Sequence, residues 1–228
     1  MASTEDKTLN SISVSDAELH LASNVVAKGD VSLTNAGLVA EKSFDVDETK
    51  NLNINNSTVV AKDYFGGGNT TIDGSLIQVA KDMETVDLSV KDSDITVGGN
   101  LLSFDTILDA TNAVVQGGMD AEKLEIKNGS NITVMGDMFA TDATFDSSTV
   151  NLNGKNSSFD SLTVNGSTLN NMTNMAVAND LIFGAAANGN ASTLNMTNGS
   201  VNTITAGNTV LNSDLNIACL LYTSDAAD

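Results

Sequence analysis

Along most of this chain apolar and polar residues alternate one for one, and the alternation restarts at a Ser that follows a turn-forming residue. The phrase reads Ser57-Thr-Val59-Val-Ala61, Ser75-Leu-Ile77-Gln-Val79, Ser93-Asp-Ile95-Thr-Val97, Ser130-Asn-Ile132-Thr-Val134 and Ser148-Thr-Val150-Asn-Leu152. It returns as Ser167-Thr-Leu169, Ser192-Thr-Leu194-Asn-Met196 and Ser213-Asp-Leu215-Asn-Ile217. A period of two puts Val, Ile and Leu on one face of a strand and Thr, Asn, Asp or Lys on the other. The alternation therefore predicts an inward row that includes Ile77, Val79, Ile95, Val97, Ile132, Val134, Val150 and Leu152.

Taking starts at Ser23, Gly37, Ser57, Ser75, Ser93, Ala113, Ser130, Ser148, Ser167, Ser192 and Ser213, the intervals run from 14 to 25 residues. Self-similarity at such a period predicts stacked coils, each unable to bury its apolar side alone. The residue before a start is usually Asn, Asp, Gly or Ser, as at Asn56, Gly74, Asp92, Asn112, Gly129, Ser147, Gly166 and Asn212. Such residues suit a tight corner because they tolerate a left-handed backbone or bond their own chain. A second alternating strand follows in each coil, for example Phe44-Asp-Val46, Val86-Asp-Leu88-Ser-Val90, Leu124-Glu-Ile126 and Leu162-Thr-Val164. Elbows such as Gly98-Gly99-Asn100, Gly117-Gly118 and Gly136-Asp137 separate the strands.

Two strands and two or three corners per coil describe an all-β, single-stranded parallel β-helix of about ten coils. Strand pairing at about 4.8 Å makes it a rod of roughly 50 Å. Equivalent Asn residues at the corners are expected to stack into ladders. Helical spacing is nearly absent, and its best candidate, residues 180–187, reads as well as a strand and an Ala-rich loop. Residues 184–190 form an insertion expected to project, and Gly66-Gly67-Gly68 reads as an irregular corner. Apolar residues do not recur at strict sixes, which argues against a left-handed helix of the hexapeptide type.

Composition sharpens the picture by exclusion. Hydrophobic content is 41% but aromatics only 4%, with no Trp, no Pro and ten basic residues that are all Lys. A net charge of -19 argues against nucleic acid and anionic membrane surfaces, because both need clustered cations. The same charge keeps an extended rod from self-associating. No stretch of 18 apolar residues exists to span a bilayer as a helix. The opening Met1-Ala-Ser-Thr-Glu-Asp-Lys7 lacks the basic and apolar regions of a secretory signal, which leaves a cytosolic protein or an incomplete N-terminus.

Phrases such as Ser130-Asn-Ile-Thr-Val-Met-Gly-Asp137, Ser148-Thr-Val-Asn-Leu-Asn-Gly154 and Leu162-Thr-Val-Asn-Gly-Ser-Thr-Leu169 resemble the passenger repeats of autotransporters and filamentous-haemagglutinin-like adhesins. The resemblance spans about residues 11–218 and implies a right-handed β-helix displayed outside a bacterial cell. It implies a non-enzymatic structural or adhesive stalk, with a host or cell-surface ligand as its partner. The family's signal and outer-membrane barrel are not in this sequence. An intracellular polymerising β-helix of the bactofilin kind is the alternative, with end-to-end self-association its expected contact.

The final Cys219–Asp228, CLLYTSDAAD, resembles the translated adapter read-through found at the ends of chains assembled from metagenomic reads. The expected organisation is thus a disordered or incomplete N-terminus over 1–10, a repeat domain over 11–218 and a non-native tail over 219–228. Setting the tail aside removes the only Cys, and with it disulfides and Cys-ligated metal sites.

Candidate chemistry is thin. His20, the single histidine, lies in Glu18-Leu-His-Leu21 on the outer side, with no nucleophile in a recognisable setting. Asp45, Asp47 and Glu48 are the densest acidic cluster but do not fit a calcium-loop pattern. Gly66-Gly-Gly-Asn-Thr-Thr-Ile-Asp73 distantly resembles a calcium-binding β-roll repeat, but it occurs once, whereas a true β-roll repeats many times. Polysaccharide lyases and pectinases share the β-helix fold, yet they resemble one another in clustering Asp with Arg or Lys and sugar-holding aromatics. No Arg and two Tyr make a poor match. The expectation is no enzyme: no catalytic, cofactor-binding or metal-ligating residue, and no cofactor.

Overall fold

The computed structural model describes residues 6–171, 174–196 and 203–219. They form an all-β parallel solenoid of about 11 turns, with no helix among them. Every strand pairing is parallel, between one coil and the next. A 14-stranded and an 11-stranded sheet run the length of the stack.

Each coil carries three strand segments, where the alternation alone indicated two. The early coils separate the first two: Phe44–Val46 and Asn51–Asn55 are distinct strands, yet both pair with the single strand Phe65–Asp73. From there on, strands such as Met83–Lys91, Leu101–Asp109, Met119–Lys127 and Met138–Asp146 cover both faces with a bend between. At several bends the alternation slips, leaving two consecutive exposed residues such as Glu122 and Lys123, or Thr141 and Asp142. That slip turns the strand while keeping apolar residues inward on both arms. Phe44–Val46 consequently lies on the first face, whereas residues 87–91 lie on the second. The third face is the run of short strands including Leu76–Val79, Asp94–Val97 and Asn131–Val134.

The eight inward positions read from the alternation are all at most 2% exposed. In-register pairing stacks them in columns: Ile77 on Ile95, Ile95 on Ala113, Ala113 on Ile132, Ile132 on Val150. The first face adds a column of Met83, Leu101, Met119 and Met138. Two aromatic pairs fill wider gaps, Phe44 stacked on Phe65 at 5.8 Å and Phe145 edge-on to Phe159 at 6.1 Å. Such parallel sheets must bury their inner face, and here one continuous core does so for all coils.

The corner into the third face explains why Ser opens each phrase. One residue with positive φ turns the chain there: Asn56, Gly74, Asp92, Ala110, Ser147 and Gly166 in successive coils, with Asn128 and Gly129 sharing the task in one. The buried Ser that follows accepts the amide N–H of its counterpart in the preceding coil. Ser57 N donates to Ser75 Oγ at 2.9 Å, Ser75 N to Ser93 Oγ at 3.0 Å, and Ser148 N to Ser167 Oγ at 3.0 Å. Each hydroxyl donates in turn to the carbonyl two residues back, as Ser75 does to Asp73 at 2.7 Å. The left-handed corner carries these amides away from a backbone acceptor, and the hydroxyl replaces it.

This ladder corrects four of the starts. Thr111, not Ala113, holds the corner, with Thr111 N donating to Ser130 Oγ at 3.0 Å, and Ala113 stands in the core. Ala36 replaces Gly37, since Ala36 N donates to Ser57 Oγ at 3.0 Å. Ser23 lies ahead of the first-face strand Val25–Ala27, and the first coil's corner is Asp16 and Ala17. In the last coil Leu215 pairs with Ser192 and Ile217 with Leu194, two residues out of phase with a start at Ser213. Ala and Thr also fit the corner but carry no sequence signal of one.

At the opposite corner, into the first face, adjacent coils approach too closely for a side chain. A Cβ on Gly117 would lie 2.7 Å from the Gly99 carbonyl carbon, and one on Gly136 would lie 2.6 Å from that of Gly117. Asn100 and Asp137 cap the column, accepting from Gly118 N at 2.8 Å and Asn156 N at 2.7 Å. Gly66-Gly67-Gly68, read as an irregular corner, forms the bend inside Phe65–Asp73, between Phe65 on the first face and Asn69 on the second, and a Cβ on Gly68 would strike the carbonyls of Glu48 and Lys50. Single Asn rungs join the corners, Asn35 donating to Asp16 at 3.1 Å and Asn174 to Asn156 at 3.4 Å, and the longer Asn ladder runs on the third face. Asn151 donates to Thr133 at 3.0 Å, Asn170 to Asn151 at 2.6 Å, and Asn195 to Asn170 at 2.6 Å.

The insertion falls between Gly184 and Ser192, which pair with Asn165 and Ser167 of the preceding coil. Residues 185–191 thus replace a one-residue corner with a loop. The 180–187 stretch is strand through Gly184 and then loop. In the last coil, strand Leu215–Cys219 pairs Met196 with Cys219, so the stack continues one residue past the boundary drawn at 218. Residues 1–5 and 220–228 lie outside the described residues; within the stretch expected to be a disordered or incomplete N-terminus, Lys7–Leu9 is a strand paired with Val25–Ala27.

Candidate functional site

The bend between the first two faces turns inward along the middle of the stack and leaves a surface groove of about 410 Å³. Glu84, Leu102, Ser103, Phe104, Asp120 and Glu122 line it. These positions are the outward residues flanking the bends of three successive coils, so their spacing follows from strand pairing: Glu84 opposite Leu102, Leu102 opposite Asp120. Phe104 is 62% exposed, the highest value among the exposed large apolar residues, and Phe139 stands two coils further along at 41%. The Ser103 hydroxyl donates to the carbonyls of Val86 and Asp105, at 3.1 and 3.2 Å. Its proton is thus shared between two backbone carbonyls.

Carboxylates and a ring, with no cation among the lining residues, give the groove the character of a surface for cationic or hydroxyl-rich groups. Tyr64 stands beside it and donates to Glu84 Oε2 at 3.4 Å. Burial, then the neighbouring charges of Glu84 and Asp45, push the Tyr64 hydroxyl above its ordinary range, so it remains protonated and donating.

The acidic cluster at residues 45–48 is used locally. Asp47 Oδ1 accepts from Thr49 N at 3.1 Å and Thr49 Oγ1 at 2.8 Å, and these bonds hold its carboxyl below the usual value. Burial raises Asp45 instead. Among the described residues no group of three His, Cys, Asp or Glu is placed to hold a metal ion. His20 lies on the outer side, as its alternation requires, with Nε2 3.0 Å from Glu41. Lys62 reaches the same carboxylate at 2.6 Å, and the hydrogen bonds from Lys62 and then His20 lower the Glu41 pKa. This is a coil-to-coil charge column at the surface, remote in sequence from the groove.

The groove was not legible in the sequence. Its only signal is a pair of consecutive polar or exposed residues inside a strand, such as Phe104-Asp105 or Glu122-Lys123, which breaks the period of two. Among the described residues no helix is long and apolar enough to cross a membrane.

No protein-family model, curated protein or solved structure matches this chain. What the coordinates define is a class: a parallel β-solenoid repeat protein with an acidic outer surface.

Proposed function

We propose that this solenoid is a structural and adhesive stalk segment of a surface-displayed bacterial protein of the autotransporter-passenger kind. The observation that supports it best is where the chain spends its recurring side chains. The recurring Ser, Gly and Asn side chains are engaged in joining one coil to the next, through the corner ladder, the glycine column and the Asn ladder. A body held this way is stiff along its axis and varies freely on its outer rows, as a spacer that displays other parts requires. The groove around Phe104 offers a contact surface for a ligand.

A second reading is the intracellular polymerising scaffold, which a stack of wholly parallel strands permits because its coils pair edge to edge. Immunolabelling separates the two. An antibody against this segment should label intact cells that make the protein. Labelling only after permeabilisation overturns the stalk reading, and intracellular filaments under that label establish the second.

A further inference from the structure

Five Asn-Gly pairs occur in this chain, and four lie within the described residues: Asn128-Gly129, Asn153-Gly154, Asn165-Gly166 and Asn188-Gly189. Asn-Gly is the dipeptide most open to spontaneous backbone cyclisation, because glycine leaves its amide nitrogen unshielded. The Gly nitrogen attacks Asn Cγ; the new N–Cγ bond forms as the Cγ–Nδ2 bond breaks, and ammonia leaves with the former amide proton. Water then opens the five-membered imide at either carbonyl, giving Asp or isoaspartate. The overall change is water in and ammonia out, with no other reactant needed.

The solenoid treats the four pairs differently. At Gly129 and Gly166 the amide is a rung of the coil-to-coil ladder, donating to Ser147 O at 2.9 Å and Gly184 O at 3.0 Å. The Asn128 side chain is drawn away to Asp109, with Nδ2 2.7 Å from Oδ1. Gly154 is buried, packed against Gly136 and Asp137 of the preceding coil, where its Cβ would have no room. Reaching the imide geometry at any of these three requires opening the stack.

Asn188-Gly189 sits instead in the inserted loop, with both residues exposed and nothing within 4 Å of a Cβ on Gly189, an openness shared by Asn128-Gly129, whose Gly amide is however tied to the next coil. Gly189 N donates only to Ala186 O, at 2.8 Å within the same loop. The Asn188 side-chain carbonyl accepts from Asn190 N at 3.0 Å, which polarises the carbon under attack. We infer that Asn188 is a built-in modification site, where the native protein ages by deamidation and isoaspartate formation while the pairs in the coils are protected.

The test is peptide mapping by mass spectrometry of the native full chain held in warm, mildly alkaline buffer. Replacing the amide by an acid adds about one dalton, and isoaspartate is distinguished by its retention time. Misplacing a reacting atom by about an ångström costs on the order of 100-fold, so Asn188 should convert roughly tenfold or more faster than Asn128, Asn153 and Asn165. The same chain in denaturant should lose that ranking, and N188Q should remove the fast phase while melting like the parent. Comparable native rates at any of the other three pairs overturn the inference, as does a native Asn188 that stays unconverted while the denatured chain reacts there.

Discussion

Ser75 shows how much one small side chain does in this fold. Its hydroxyl accepts Ser57 N–H from the coil before and donates to Asp73 O in its own coil. Removing it leaves a buried amide without a partner, a loss of about 1–3 kcal/mol. Ser75→Ala should therefore lower the melting temperature, and Ser75→Thr should retain most of it because Thr111 fills an equivalent corner with its hydroxyl donating to the carbonyl two residues back, Asp109 O, at 2.9 Å. Equal melting of the Ala variant and the parent, measured by circular dichroism, would show that the ladder is incidental. Facing directions matter as sharply on the strands. Val134→Asp buries an unpaired charge between two coils and should cost several kcal/mol. Thr133→Asp, one residue away, points outward beside the Asn151 amide and should be close to neutral. If Val134→Asp melts like the parent while Thr133→Asp does not, the assigned register is wrong.

At the scale of the element, corners and bends set the coil. The two corners need different things of their residues, and a pair of substitutions separates them. Gly117 lacks space, not φ freedom: its Cβ would press on the Gly99 backbone. Ala110 has space but holds φ at +49°, a conformation that costs a side-chain-bearing residue about 1–2 kcal/mol. Gly117→Ala should accordingly destabilise, since backbone of the neighbouring coil must move. Ala110→Gly should be neutral or stabilising, with relief of strain set against about 0.4–1 kcal/mol of added unfolded-chain entropy. Denaturant midpoints at unchanged slope read both effects; a stabilised Gly117→Ala would remove the close-approach account of the column.

Across the whole molecule the dominant fact is the charge of -19 on an elongated body. Most carboxylates face water, and Glu41 is held below its ordinary pKa by Lys62 and His20, so its contribution is present above the ordinary range and lost as pH falls. Asp45 has the opposite sign. Burial raises its folded pKa, so the native state disfavours the charge, and stability is lost as pH rises from the ordinary carboxylate value through the raised one. Asp45→Asn keeps an acceptor for the Val46 amide and removes that penalty. It should melt higher than the parent at neutral pH, with the gain vanishing below about pH 4, where both forms are uncharged. A gain that persists unchanged in acid would assign the effect to packing.

The period-two alternation and the recurring Ser determined that the chain is a stack of parallel strands, and which Val, Ile and Leu face inward. Alternation carries that information because a strand's side chains change face at every residue, whatever surrounds it. It could not reveal the third face: a bent strand resumes the same alternation on both arms, and only the pairing of Phe65–Asp73 with two separate earlier strands discloses the bend. Nor could it distinguish Thr111 and Ala36 from ordinary strand residues, since their corner role lies in a hydrogen bond to the next coil, 19 and 21 residues on. The groove around Phe104 and the shielding of three Asn-Gly pairs likewise exist only between coils. Tertiary stacking decided them, because neighbours in a solenoid lie about 4.8 Å away in space and a full turn away in sequence.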